Sequence, residues 1–176
     1  MNERKKSKFI VAVLSALMVT ALFLIGPSEG NGAESNRFVD LGNGTVRDTS
    51  TGLIWLKNAD CFGTKSWKDA TDKAAALHTG ECGLTDSSSK GDWRLPTKEE
   101  WEALFDKKYY GPALSNAAGT AQWSEGDAFN NVQTRFYWSS TAYAGTVSLA
   151  VRLSNGLTSS YEKTNLFYVW PVCNCK

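Results

Sequence analysis

Gly91-Asp92-Trp93-Arg94-Leu95-Pro96-Thr97-Lys98-Glu99-Glu100-Trp101-Glu102-Ala103-Leu104-Phe105 reads in succession as a strand, a helix cap and a helix. Trp93, Arg94 and Leu95 form a short alternating run. Pro96 then removes a backbone donor and presses Leu95 into an extended conformation, so a helix must begin beyond it. Thr97 followed by Glu100 is the capping-box spacing, in which the threonine hydroxyl accepts an orphan amide proton and the glutamate reaches back to the cap amide. Trp101, Leu104 and Phe105 recur at i, i+3, i+4, the spacing of one buried helical face. Glu99, Glu100 and Glu102 place negative charge where the helix dipole favours it.

Upstream, Phe38 to Leu41, Thr45 to Asp48 and Leu53 to Leu56 read as short strands divided by Gly42-Asn43-Gly44 and Thr49-Ser50-Thr51-Gly52, both turn-forming. A first helix is expected from Trp67 to about His78, capped by Ser66 with Asp69, with Trp67, Ala70, Ala74 and Leu77 on its apolar face. Thr79 to Lys90 is a loop, and His78 a surface or capping residue. Downstream, Asp106 to Asn131 carries Tyr109, Tyr110, Trp123 and Phe129 without sustained periodicity. Thr134 to Ser140 reads as a strand with Phe136 and Trp138 on one face and Arg135 and Tyr137 on the other. Val147 to Leu153 alternates with Val147, Leu149, Val151 and Leu153 inward and Ser148, Ala150 and Arg152 outward. Asn155-Gly156 is a hairpin turn returning through Leu157 to Glu162, and Leu166 to Val172 is a final aromatic strand. Short strands closely spaced around two helices make an antiparallel α+β domain.

The chain opens with Arg4, Lys5, Lys6 and Lys8, followed by an uncharged apolar run from Phe9 to Ile25 and then Gly26-Pro27. Residues 1–33 read as an export signal peptide, with an uncleaved N-terminal membrane anchor as the alternative. Residues 34–176 are one domain's worth of sequence, destined for the periplasm, the cell surface or secretion. Without residues 1–33 the chain carries 15 basic and 16 acidic residues, a net charge of about −1. No basic stripe is evident, which argues against nucleic acid as a partner. A membrane is a partner only if the N-terminal segment stays attached.

The cysteines are Cys61, Cys82, Cys173 and Cys175, an even count in an exported chain, so disulfides are expected. Cys61 with Cys82 brackets the first helix and would staple both its ends, worth roughly 3 kcal/mol by loop-closure entropy. For Cys173 and Cys175 a strained bridge, a mixed partner and a soft-metal site remain open.

Trp93-Arg94-Leu95-Pro96-Thr97-x-x-Glu100-Trp101 resembles the signature of Lcl C-terminal-like domains, bacterial domains of the C-type-lectin-like superfamily that also contains formylglycine-generating enzymes. Three further segments fit the same pattern: Gly52-Leu53-Ile54-Trp55, Tyr137-Trp138-Ser139-Ser140-Thr141 and Tyr168-Val169-Trp170-Pro171-Val172. The resemblance covers Arg37 to Val172 and implies a C-type-lectin-like fold with two helices on short antiparallel sheets and a long irregular loop. It assigns Trp93, Arg94, Pro96, Thr97, Glu100 and Trp138 to the structural motif. It also makes the Asp106 to Asn131 loop the first place to look for a ligand surface, since one scaffold hosts unrelated activities.

The expected function is a non-catalytic recognition module binding a glycan or protein outside the cytoplasm, with no catalytic residues, metal ligands or cofactor assigned. Trp123, Phe129, Asn130, Asn131 and Arg135 from the loop, with Arg152 and Tyr161 from the hairpin, are expected to form one exposed surface. Stacking rings flanked by amide and guanidinium donors suit a carbohydrate or a polar epitope. No Glu-Pro-Asn, Gln-Pro-Asp or Trp-Asn-Asp triplet supports calcium-dependent sugar binding. Two alternatives stand beside it. One is an oxidase resembling formylglycine-generating enzymes, whose copper-binding C-terminal cysteine pair would have to be Cys173 and Cys175, one residue apart. The other is a purely structural envelope component.

Overall fold

The computed structural model describes residues 36–175; the export segment read at residues 1–33 lies outside them. The chain folds as an α+β unit of two sheets and two helices. One sheet has the order β1-β2-β3-β10-β5, formed by Phe38–Asp40, Thr45–Asp48, Ile54–Leu56, Val172–Cys173 and Trp93–Arg94, every neighbour antiparallel. The other has the order β4-β9-β6-β7-β8, formed by Thr64–Lys65, Phe167–Tyr168, Phe136–Ala144, Val147–Arg152 and Leu157–Glu162. It is antiparallel except where β6 meets β9 in parallel at Tyr137 and Tyr168. Helix α1 is Trp67–Ala76 and α2 is Lys98–Leu104.

The central motif folds as its residues dictate. Thr97 Oγ1 accepts from the Glu100 N–H at 3.2 Å, and the Glu100 carboxylate accepts from the Thr97 N–H at 2.8 Å. The same carboxylate takes both arms of the Arg94 guanidinium at 2.7 and 2.6 Å, so cap and strand are locked together. Burial pushes the Glu100 carboxyl up, but Arg94 and the Thr97 amide outweigh it and hold it below the ordinary glutamate range. The stabilisation this represents is present at neutral pH and disappears as pH falls through that lowered value.

The four sequence motifs converge on one core. Trp55, Trp101 and Trp170 meet with ring centroids 5.2 to 5.9 Å apart. Tyr137 joins at 5.5 Å from Trp101 and 5.7 Å from Trp170. Backbone carbonyls receive the indole protons: Trp170 donates to Leu56 at 2.7 Å and Trp101 to Trp138 at 3.3 Å. Outside this core, Trp138 donates to Lys65 at 2.8 Å. A second cluster of Ala70, Ala74, Leu95, Trp138, Ala150 and Val169 packs α1 against the far side of the β6-β7 pair.

Several expectations are corrected. The segment Leu166 to Val172 is not one strand: β9 and β10 lie in different sheets, and the chain crosses between them at Val169-Trp170-Pro171, placing Trp170 in the core. Helix α1 ends at Ala76 because Leu77 turns extended (φ −60°, ψ 135°) to bury its side chain, leaving His78 beyond the helix. Strand β6 runs on to Ala144 through register shifts after Trp138 and Ala142. Ser148 and Ala150 do face away from Val151, as the alternation requires, but they are buried, because the sheet is covered on both sides. Cys61 bonds to Cys82, and Cys173 bonds to Cys175.

Trp93 is 1% exposed, and its indole N–H has no partner among the described residues, so its truncation removes packing alone. Trp93→Ala should cost about 3–5 kcal/mol and Thr97→Ala about 1 kcal/mol in denaturant melts. A near-neutral Trp93→Ala would contradict the assignment of this ring to the core.

Candidate functional site

The seven residues expected on one surface divide between core and rim. Phe129 is fully buried, with its ring 5.0 Å from both Phe38 and Trp170. This corrects its assignment as a ligand contact: a loop of irregular backbone needs an apolar anchor, and Phe129 supplies it. Trp123 is half-buried and donates its indole proton to the Phe129 carbonyl at 3.3 Å, pinning the same loop. Asn130 exchanges backbone bonds with the segment leaving β3, its N–H donating to Lys57 and its carbonyl accepting from Ala59, both at 2.9 Å. Asn131 adopts φ 58°, its N–H donates to the Glu125 carboxylate at 2.9 Å, and its amide donates to Asn58 at 3.1 Å. Asn130 lines a hollow with Asp40, Lys57 and Asn58, which neither Arg135 nor Arg152 enters.

Arg135, Arg152 and Tyr161 belong to another part of the surface, built by register. Phe136 on β6 is paired with Arg152 on β7, which is paired with Leu157 on β8, so these side chains share one sheet face. The Arg152 guanidinium lies 4.7 Å over the Phe136 ring. Phe136, Tyr161 and Phe167 form a triangle of rings with centroids 4.9 to 5.2 Å apart. Tyr161 is therefore half-buried, a supporting wall; its ring is held edge-on by two neighbours, which corrects the expectation that it stands free.

Two adjoining hollows open here, of about 350 and 430 Å³, and share Arg135 and Phe136. Thr134 and Ser154 border the first, Leu166 and Tyr168 the second. Arg135 and Arg152 are both exposed, and neither guanidinium meets a carboxylate among the described residues. The groove thus offers two free fork-shaped donors beside an apolar wall that includes Leu166, 63% exposed. Such a surface can hold a carboxylate or a row of hydroxyls bidentately while stacking an apolar face on the rings.

The family model of the Lcl C-terminal domain matches residues 44–173, which span β2 to β10 and so take in the central motif and the whole groove. The chain belongs to the Lcl C-terminal domain family. No curated protein matches the chain. Trp55, Trp101, Tyr137 and Trp170, one from each of the four motifs read in the sequence, all lie in the core. Apart from Tyr168, the groove residues lie outside those motifs. Phe136 and Phe167 each immediately precede a motif tyrosine, so strand alternation turns them to the opposite face from Tyr137 and Tyr168. Phe136 and Phe167 carry no local signal as site residues, because the parallel β6-β9 pairing that brings them together is long-range.

Within this Lcl C-terminal domain, core and rim should separate cleanly on mutation. Phe129→Ala is expected to cost about 3–5 kcal/mol, whereas Arg152→Ala, which loses one exposed cation-π contact, should cost about 1 kcal/mol or less. Thermal melts of both variants check the division; equal losses would place Arg152 in the structural framework.

Proposed function

We propose that this chain is an exported, non-catalytic recognition module with a C-type-lectin-like fold, and that the Arg135–Arg152 groove holds a glycan or protein ligand outside the cytoplasm. The observation that carries this reading is the pair of unpartnered guanidiniums beside the Phe136, Tyr161 and Phe167 rings. A fold gains little from leaving two arginines without carboxylates on one concave face, whereas a ligand bearing carboxylate or vicinal hydroxyl groups completes both. The Cys61–Cys82 bond supports an oxidising compartment, where such bonds persist. The two-sheet, two-helix architecture with a long loop pinned by Trp123 and Phe129 supports the fold assignment.

The loop contributes less to this surface than its position in the sequence implied. Its Phe129 ring is spent on the core and its Trp123 ring on pinning the loop, and Asn131 is held by bonds to Glu125 and Asn58. The binding chemistry accordingly rests on one end of β6 and β7 and on Leu166-Phe167, where Phe136, Arg152 and Phe167 are held by sheet pairing and so are preorganised.

The test is an array of glycans and acidic peptides probed with the full chain, followed by titration of the best binder. The double variant Arg135→Ala/Arg152→Ala should weaken that binder at least tenfold, about 1.4 kcal/mol or more, while its melting temperature falls by no more than a few degrees, and a calcium chelator should leave affinity as it was. Undiminished binding by the double variant would remove the groove from the function.

A further inference from the structure

Cys173 and Cys175 differ from each other in burial, whereas Cys61 and Cys82 are both half-buried, Cys82 lining a hollow with Lys57 and Asn58. Cys173 lies inside the first sheet, paired with Ile54 on one side and Trp93 on the other, and is 2% exposed. Cys175, two residues on, is half-buried and opens onto a small hollow of about 90 Å³ that Arg47 and Asp86 also line. Arg47 is paired with Ile54, which is paired with Cys173, so the three stand in one row on one sheet face. The Arg47 guanidinium is exposed and meets no carboxylate among the described residues. One Asp86 carboxylate oxygen is taken up by the Ser88 amide at 3.2 Å and hydroxyl at 2.8 Å. The Cys175 N–H donates to Cys173 Sγ at 2.8 Å, and Arg94 donates to the Asn174 side chain between them at 3.3 Å.

From this arrangement we propose that Cys173–Cys175 is an exchangeable disulfide that oxidises an incoming dithiol, while Cys61–Cys82 is structural. A thiolate of the dithiol attacks Cys175 Sγ, the sulfur of the less buried cysteine. A new sulfur–sulfur bond forms there, the Cys173–Cys175 bond breaks, and the electron pair leaves on Cys173 Sγ, where the Cys175 N–H already points. The second thiol of the dithiol then attacks its own mixed-disulfide sulfur and expels Cys175 as thiolate. The two protons released by the dithiol pass to Cys173 and Cys175, so the dithiol ends as a disulfide and the pair as two thiols. Arg47 draws the anionic nucleophile to the opening, and a disulfide-bearing oxidant runs the same steps backward.

The fold separates the two bonds by what each supports. Cys61–Cys82 spans 21 residues and Cys173–Cys175 spans 2. By chain entropy the longer loop contributes roughly 30-fold more to the folding equilibrium. With the short bond open, Cys173 keeps its sheet pairing to Ile54 and Trp93, and Asn174 keeps its contact with Arg94. The sheet can therefore exist in both redox states.

The experiment is timed acid quenching of the oxidised full chain in dilute dithiothreitol, followed by alkylation under denaturing conditions and peptide mapping, run beside thermal melts. Cys173 and Cys175 should be labelled at least tenfold faster than Cys61 and Cys82, with the melting temperature essentially kept after that first step. Glutathione trapping should place the mixed disulfide on Cys175, and Arg47→Ala should slow the first step about threefold at low salt and less at high salt. Labelling of all four cysteines at one rate, loss of the fold upon reduction of the short bond, or an adduct on Cys173 would overturn the proposal. A rate indifferent to Arg47→Ala would overturn the role given to that guanidinium.

Discussion

Trp170 is the side chain on which both sheets depend. It sits on the stretch that leaves β9 in one sheet and enters β10 in the other, and it touches Trp55, Trp101, Phe129 and Tyr137 at once. Its indole proton goes to the Leu56 carbonyl, while the Leu56 N–H donates to the Pro171 carbonyl at 3.1 Å. A crossing strand would otherwise leave backbone polar groups unpaired inside the molecule, a cost of about 1–3 kcal/mol for each. Pro171 has no N–H to leave unpaired, which suits it to the crossing itself.

That crossing decides what the surface can do. With the second sheet covered by the Trp170 cluster on one face and by α1, Leu95 and Val169 on the other, its middle is closed to ligands. The end of the face where Phe136 and Arg152 are paired and Leu166 emerges stays open, as do β8 and the far end of β6. A second consequence concerns the first sheet. Its row from Arg47 through Ile54 to Cys173 runs from open surface into the core, which makes one cysteine of the terminal pair accessible and the other enclosed.

Much of this framework was legible before any coordinates, and the reasons are local. The Thr97–Glu100 cap, the Asn155-Gly156 turn and the strand Thr45–Asp48 are written in neighbouring residues, and each forms as read, whereas Ser66 caps α1 without the reciprocal half of its box, because the Asp69 carboxylate accepts from the Ser66 hydroxyl. What was not legible is long-range. Alternation in Val147–Arg152 separates two faces correctly but does not say that both are covered, so Ser148 and Ala150 were placed in solvent. The run Leu166 to Val172 has the composition of one strand, and nothing within it reveals a change of sheet. Phe129 in an aperiodic loop looks like a ligand ring until Phe38 and Trp170 are brought beside it. Aromatic composition signals burial and binding alike; only the partners distinguish them.

If Trp170 joins the two sheets into one cooperative unit, their central strands cannot open separately. Native-state hydrogen exchange measures this directly. The amides of Trp55 and Val172 in the first sheet and of Trp138 and Val151 in the second should exchange through global unfolding alone. Their opening free energies should be equal and should fall together in Trp170→Phe. A second sheet whose amides exchange several kcal/mol more easily than the first, with Trp170→Phe affecting only one of them, would contradict the claim that this side chain holds the two together.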